Sequence, residues 1–269
     1  MMIFDKKRRQ LIADYYRFAR YGDDIADNPD IKPQSKIKQL DEMEDIFLGR
    51  KKYKGKKLDF ISKLREKFCQ DNLAFSLATD LLIAFRRDAS GFDYQTWAQL
   101  TDYCKYSAAT VGRFMLAIHN EHPSTYLPSA SLCAALQIVN HVQDIKYDAL
   151  VQKRIYIPSD IMKKFKVSLE DLTKDTETPE LRKAIEYIME KIRGMIKDGA
   201  LLPMIIRDKW LKTEICIILS LTNIMIKKIL KGDVLAKEIK LSKWDWTKGI
   251  LSGCMKAMLT KTKTMPQAY

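Results

Sequence analysis

Apolar residues recur with a helical period along almost the whole of this chain, and strand-type alternation is nearly absent. That confines the fold to helices packed on helices. The spacing predicts helices over about 7–26, 34–48, 58–70, 72–87, 94–119, 129–152, 178–197, 202–230 and 242–260. Turn-forming residues separate them: Asn28-Pro29, Ala89-Ser90-Gly91, His122-Pro123-Ser124, Ile157-Pro158-Ser159, Gly199 with Pro203, and Gly232-Asp233. Residues 49–57 read as a cationic loop, and Lys261 to Tyr269 as a frayed tail. No internal repeat or low-complexity linker marks a boundary. The expectation is one all-α domain of about eight to ten helices spanning 1–269.

Two acidic clusters stand out on this helical frame. Asp23, Asp24 and Asp27 close the first predicted helix, and Asp144 and Asp148 lie about 120 residues later. In each cluster two aspartates are four residues apart, which places both carboxylates on one helix face, one turn apart. Like charges so placed repel, so a partner is needed. Tyr16, Arg20, Asp23 and Asp27 form one stripe, with no Lys or Arg on the next turn to relieve its acidic end. Gln137, Asn140, Asp144 and Asp148 form the other, embedded among Leu136, Ile138, Val139, Val142 and Ile145. Amides and carboxylates within an apolar helix are costly to bury unpaired. The plain reading of the first stripe is a solvated helix end. Two aspartate pairs facing each other across a cavity would instead hold a hard divalent cation such as Mg²⁺, which takes one or two carboxylates, several waters and phosphate oxygens. That points to diphosphate chemistry.

Composition narrows the setting. Lys and Arg total 47 against 34 acidic residues, for a net charge of +13. Such a surface suits phosphate-bearing ligands, nucleic acid or anionic lipid, or is simply a lysine-rich solvated face. No nucleic-acid recognition motif is present, so nucleic acid is not an expected partner. The five cysteines (Cys69, Cys104, Cys133, Cys216, Cys254) are odd in number and form no Cys-x-x-Cys, and read as free thiols in a reducing cytoplasm. The first residues have no apolar stretch after their charges, unlike a signal peptide. The apolar run from Ile215 to Ile226 is too short to span a membrane and contains Ser220, Thr222 and Asn223; it reads as a core helix.

Four ordered stretches carry a resemblance: Tyr16 through Asp23-Asp24-Ile25-Ala26-Asp27; Asp80 through Arg86-Arg87-Asp88; Tyr103-Cys104-Lys105-Tyr106 through Val111-Gly112-Arg113; and Leu136-Gln137-Ile138-Val139-Asn140 through Asp144 and Asp148 to Arg154-Ile155-Tyr156-Ile157-Pro158. Together they resemble the squalene and phytoene synthase family, the head-to-head trans-prenyl transferases. They are most similar to its bacterial hydroxysqualene-forming branch, as is the later Lys240 to Trp246 stretch. The resemblance implies an isoprenoid-synthase-type helical bundle with a central cavity. It implies Mg²⁺ held by Asp23, Asp24 and Asp27 on one wall and by Asp144 and Asp148 on the other, with Gln137 and Asn140 beside them. Arg20 and Arg154 would grip phosphate, since a guanidinium matches phosphate oxygens in pairs. Tyr16, Tyr103 and Tyr106 would orient the diphosphate, assist proton transfer or face a carbocation; core packing with a satisfied hydroxyl is the alternative for each.

The implied substrate is an isoprenoid diphosphate. Family members end the reaction with hydride, with proton loss or with water. No Gly-x-Gly-x-x-Gly occurs, which gives no support for a Rossmann nicotinamide module. The favoured expectation is presqualene diphosphate captured by water. The alternatives are condensation of farnesyl diphosphate to presqualene diphosphate, squalene or a C30 or C40 polyene, and a non-catalytic relative acting in binding or assembly. A sibling synthase supplying the substrate is a possible partner. The greasy substrate implies peripheral contact with a membrane's inner face, with Lys51, Lys52, Lys54, Lys56 and Lys57 as the candidate patch. Against the family pattern, the stretch Ala149 to Lys153 is one residue longer than usual before Arg154. His119, Glu121 and His122 sit in a turn without a further ligand, and His141 lies off the aspartate stripe and reads as packing.

Overall fold

The computed structural model describes residues 6–53 and 55–262; Lys54 of the cationic loop, most of the expected frayed tail and the first five residues lie outside them. The α-helices are the regular elements of the described residues, without strands: α1 (Lys6–Asp27), α2 (Pro33–Leu48), α3 (Asp59–Gln70), α4 (Ser76–Ser90), α5 (Trp97–Ile118), α6 (Tyr126–Gln143), the single turn α7 (Ile145–Tyr147), α8 (Ser159–Phe165), α9 (Pro179–Gly199), α10 (Lys209–Lys231) and α11 (Lys243–Leu259), joined by loops and short 3₁₀ or π turns. The fold is the all-α isoprenoid-synthase type expected.

Local chemistry explains most boundaries. Pro33 and Pro179 occupy first-turn positions, where a missing N–H costs nothing. The α4 helix runs on to Ser90 and ends at Gly91, whose φ of 67° only glycine adopts freely. The single helix expected over 202–230 instead begins at Lys209, because Asp208 caps the amides of Trp210 and Leu211. Glu121 accepts the amides of Arg207 and Asp208, and His119 Nδ1 lies 2.9 Å from Asp208. His119 and Glu121 therefore hold the start of α10. Helix α8 was not expected. Neither was the break in the helix over 129–152: α6 stops at Gln143, Asp144 leaves the helical basin (φ −100°, ψ 11°), and Asp148–Gln152 forms a π-helical turn. Such a turn takes one more residue than an α-turn, and this one exits through Lys153 at φ 55°.

Two apolar clusters form the interior. One is aromatic and belongs to α1–α4: Phe18, Phe47 and Phe68 are fully buried, and Phe114 of α5 joins them, stacked on Tyr15 at 3.8 Å. The other is aliphatic, built on α6, α9 and α10. Helix α5 contributes to both, with Phe114 and Ile118 on one side and Leu100, Tyr103 and Leu116 on the other. Gly22 lets α1 lie against α4, since a Cβ there would come within 2.7 Å of the Phe85 ring. The next residue is Asp23, so this close approach aims the first aspartate cluster at the end of α4.

Candidate active site

The α1 aspartates are paired from two directions. Arg20 donates from one turn earlier, to Asp23 at 3.0 Å and to Asp24 at 2.7 Å. Arg154, remote in sequence, bonds Asp27 at 2.6 Å and the Ala26 carbonyl at 2.8 Å. The acidic end thus has its relief, from a preceding turn and from another segment rather than from the following turn. Lys36 adds a third cation at the same carbonyl, 2.7 Å away, as the negative end of a helix dipole favours. Even so, burial and the neighbouring Asp27 push the Asp23 carboxyl up to about 6, against the pull of Arg20.

Arg154 joins the two clusters. Its side chain holds Asp27, while its backbone N–H donates to the Asp148 carbonyl at 3.0 Å. The second cluster carries less positive charge. Asp148 lies 3.5 Å from His141 Nδ1, and His141 Nε2 is 3.1 Å from the Gln137 amide. Burial, and next Asp148, raise the Asp144 carboxyl above its ordinary range. Asp144 keeps its backbone bond to the Asn140 carbonyl, so Asn140 and Asp144 remain one turn apart across the end of α6.

A buried hub, unassigned in the sequence reading, sits between the clusters. Asp88, at the end of α4, accepts the Tyr103 hydroxyl at 2.9 Å and the Tyr156 hydroxyl at 3.0 Å. Burial raises its carboxyl, and Arg154 is the strongest opposing influence. Tyr156 stacks on His141 at 3.5 Å, so the packing role expected for His141 comes with a polar one toward Asp148. Asp80–Arg113 at 2.6 Å and Arg87–Asp102 at 2.8 Å fasten α4 to α5 around this hub. Those residues were visible as motif letters; their pairing depends on two helices meeting.

The three candidate tyrosines separate. Tyr103 is buried with its hydroxyl on Asp88. Tyr106 is half-buried, with the Arg87 guanidinium 5.1 Å over its ring. Tyr16 is 66% exposed. An apolar cavity of about 370 Å³ opens between α5, α6 and α10, reaching along α6 to Asn140, one turn before Asp144. Gln137 and Asn140 line it, together with Val111, Leu136, Leu211 and Ile218. Glu214 also lines it, its carboxyl raised by burial. The sequence offered no signal for Glu214 beyond one acid in an apolar helix.

The profile of the squalene/phytoene synthase family matches residues 1–245. The chain belongs to the squalene/phytoene synthase family. A hydroxysqualene synthase from Sinorhizobium fredii is 34% identical over 240 residues, 89% of this chain and 81% of the relative. One from Rhodopseudomonas palustris is 33% identical over 239 residues, 89% and 80% respectively. The fold is similar to a squalene synthase from Alicyclobacillus acidocaldarius, with TM-score 0.71, 26% identity and 83% of each chain covered. A dehydrosqualene synthase superposes with TM-score 0.78 over 96% of this chain and 89% of its own, at 21% identity. This squalene/phytoene synthase is therefore an isoprenoid synthase enzyme.

Among the described residues, no three His, Cys, Asp or Glu side chains are grouped as a metal cage. The donors present still suit Mg²⁺, which is held by one or two carboxylates and completes its shell with water and phosphate. Burial, and next a neighbouring carboxylate, raises both the Asp23 and the Asp144 carboxyl, and a bound cation would favour their ionised forms.

Proposed function

We propose that the enzyme ionises presqualene diphosphate and captures the resulting cation with water, releasing hydroxysqualene, diphosphate and a proton. The observation that carries this reading is the apolar cavity whose wall bears Gln137 and Asn140, two turns and one turn before Asp144, with Gln137 linked through His141, Asp148 and Arg154 to Asp27. The hydroxysqualene synthases at 33–34% identity favour it over condensation of farnesyl diphosphate, since a Thermus thermophilus phytoene synthase is only 26% identical over 74% of this chain.

Asp23, Asp24 and Asp27 would hold Mg²⁺ on one side and Asp144 and Asp148 on the other. Mg²⁺, when bound, neutralises the charge that grows on the departing diphosphate. Arg20 is exposed and lies along the same helix face, placed to exchange its intrahelical carboxylates for phosphate oxygens. Arg154 ties the α1 end to the Asp148 turn, which would set the spacing of the two walls before substrate binds. Asp88, Tyr103 and Tyr156 support Arg154 and His141 from behind. As the C–O bond breaks, its electron pair leaves with diphosphate. The cation would lie against the apolar wall of the cavity, which offers it few competing nucleophiles. A water held by Gln137 or Asn140 would form the new C–O bond and give up its proton.

The test is product analysis by mass spectrometry with Mg²⁺, offering presqualene diphosphate or farnesyl diphosphate alone. Hydroxysqualene from the former and nothing from the latter is the expected result. A product from farnesyl diphosphate would move the enzyme to the condensing branch.

A further inference from the structure

Helix α11 is divided lengthwise. Its inner face is Gly249, Gly253 and Ala257, three small residues four apart that lie against α10. The approach is close: a Cβ on Gly253 would come within 2.4 Å of the Ile217 Cα, and one on Gly249 within 2.2 Å of Leu221. The opposite face is apolar and bare. Trp244 is 81% exposed, Leu251 65%, Met255 55% and Met258 80%, and Leu259 continues the row. Their spacing of seven, four and three residues makes one stripe. Large apolar side chains in a continuous exposed row mark an interaction surface.

The charge around this stripe is of one sign. Lys248 lies within it, and Lys243 and Lys256 flank it, all exposed. Asp245, the one acid of α11, is turned away to Lys228 at 2.6 Å and to the capping Ser242. A second copy placed two-fold on this face would set lysine against lysine with no acid to answer. An anionic lipid surface answers both features: its headgroups meet the lysines and its interface takes Trp, Leu and Met.

We propose that the outer face of α11 is a lipid-docking surface that seats the enzyme on an anionic membrane. Helix α10 connects this surface to the reaction space. Its Ile215 and Ile218 line the apolar cavity, while Ile217 and Leu221 on its other side carry α11. The docking site is thus one helix away from the cavity proposed to hold the hydrocarbon chain. Among the described residues no helix is long and apolar enough to cross a membrane, so this contact lies along the interface. The cationic loop is the weaker candidate: Lys51 is already paired with Glu42 at 2.5 Å, and among the described residues no apolar stripe accompanies it.

The experiment is vesicle flotation of the full chain with phosphatidylglycerol or phosphatidylcholine, alongside light-scattering mass measurement. Wild type is expected to float with the anionic vesicles at low salt. Leu251→Glu with Met255→Glu should lower the bound fraction at least tenfold. Both positions are exposed, so the circular-dichroism melt should stay unchanged. A variant replacing Lys51, Lys52, Lys56 and Lys57 by alanine should float nearly as wild type. The proposal is overturned if wild type does not float, if the α11 variant floats as wild type, or if only the loop variant fails. It is also overturned if wild type is a dimer that the α11 variant splits, since a second copy would then own the face. None of these readouts uses catalysis, so they stand apart from the reaction assignment.

Discussion

Asp23, Asp24 and Asp27 end a regular 22-residue helix, whereas Asp144 and Asp148 bracket a broken one. The first wall is positioned by packing: Gly22 seats it on Phe85, and Arg20, Arg154 and Lys36 supply positive charge around it. The second is positioned by backbone irregularity, through the departure at Asp144 and the π-turn after it, and its nearest cationic candidate is His141. A regular helix can present carboxylates one turn apart but cannot alter where they point. A π-turn re-aims the chain locally, at a cost in backbone regularity. The pair of walls thus joins a rigid, arginine-compensated half to a shaped, less compensated half, with Arg154 touching both.

The largest expected effects come from removing one carboxylate from each wall. Asp23→Asn and Asp144→Asn should each lower turnover at least about a hundredfold, as loss of preorganised charge stabilisation does, with unchanged far-ultraviolet circular dichroism. A mild effect at one position would show that its wall is not part of the metal site. Asp88→Ala should cost about 3 kcal/mol of stability in denaturant titration, because two buried phenols lose their acceptor. Turnover should fall with it as Arg154 loses its support. Unchanged stability would mean that the hub does not brace Arg154 and His141.

A pH experiment sharpens the contrast next. Asp23 must be ionised to hold a cation, and its carboxyl is pushed up to about 6. Mg²⁺-dependent diphosphate affinity should therefore drop about tenfold between pH 7 and pH 5. In metal-free enzyme the sign for stability is the reverse. The folded state holds this proton more tightly than the unfolded chain, whose value is near 3.8, so the Asp23 contribution is lost as pH rises from about 4 through 6. Asp23→Asn should accordingly melt higher than wild type at pH 7 and equal to it at pH 4. The smallest effect belongs to the second wall's exit: Lys153→Gly should add about 0.5 kcal/mol by relieving a side chain at φ 55°. A loss there would mean that Lys153 makes a contact worth more than the relief.

Most of the long helices and both aspartate pairs were legible because period and spacing are local properties. Asp88 was not, although it stood inside a recognised motif. Its meaning comes from Tyr103 and Tyr156, 15 and 68 residues away, and periodicity names a helix face without naming its neighbour. Arg154 was assigned to phosphate on resemblance, and its bond to Asp27, 127 residues away, was equally invisible. The break at Asp144 was hidden for another reason. The apolar pattern runs smoothly through Val142 and Ile145, and only the extra residue before Arg154 hinted at the π-turn. The bare face of α11 followed from a stripe of Gly249, Gly253 and Ala257 that a hydrophobicity pattern undervalues, since small residues bury little yet decide which side packs.

The most direct test of the two-wall account is calorimetric titration of the full chain with inorganic diphosphate, with and without Mg²⁺, for wild type, Asp23→Asn and Asp144→Asn. The account predicts binding by wild type only when Mg²⁺ is present, and its loss in both variants. Wild-type affinity retained in either variant would contradict a single site shared by the two walls.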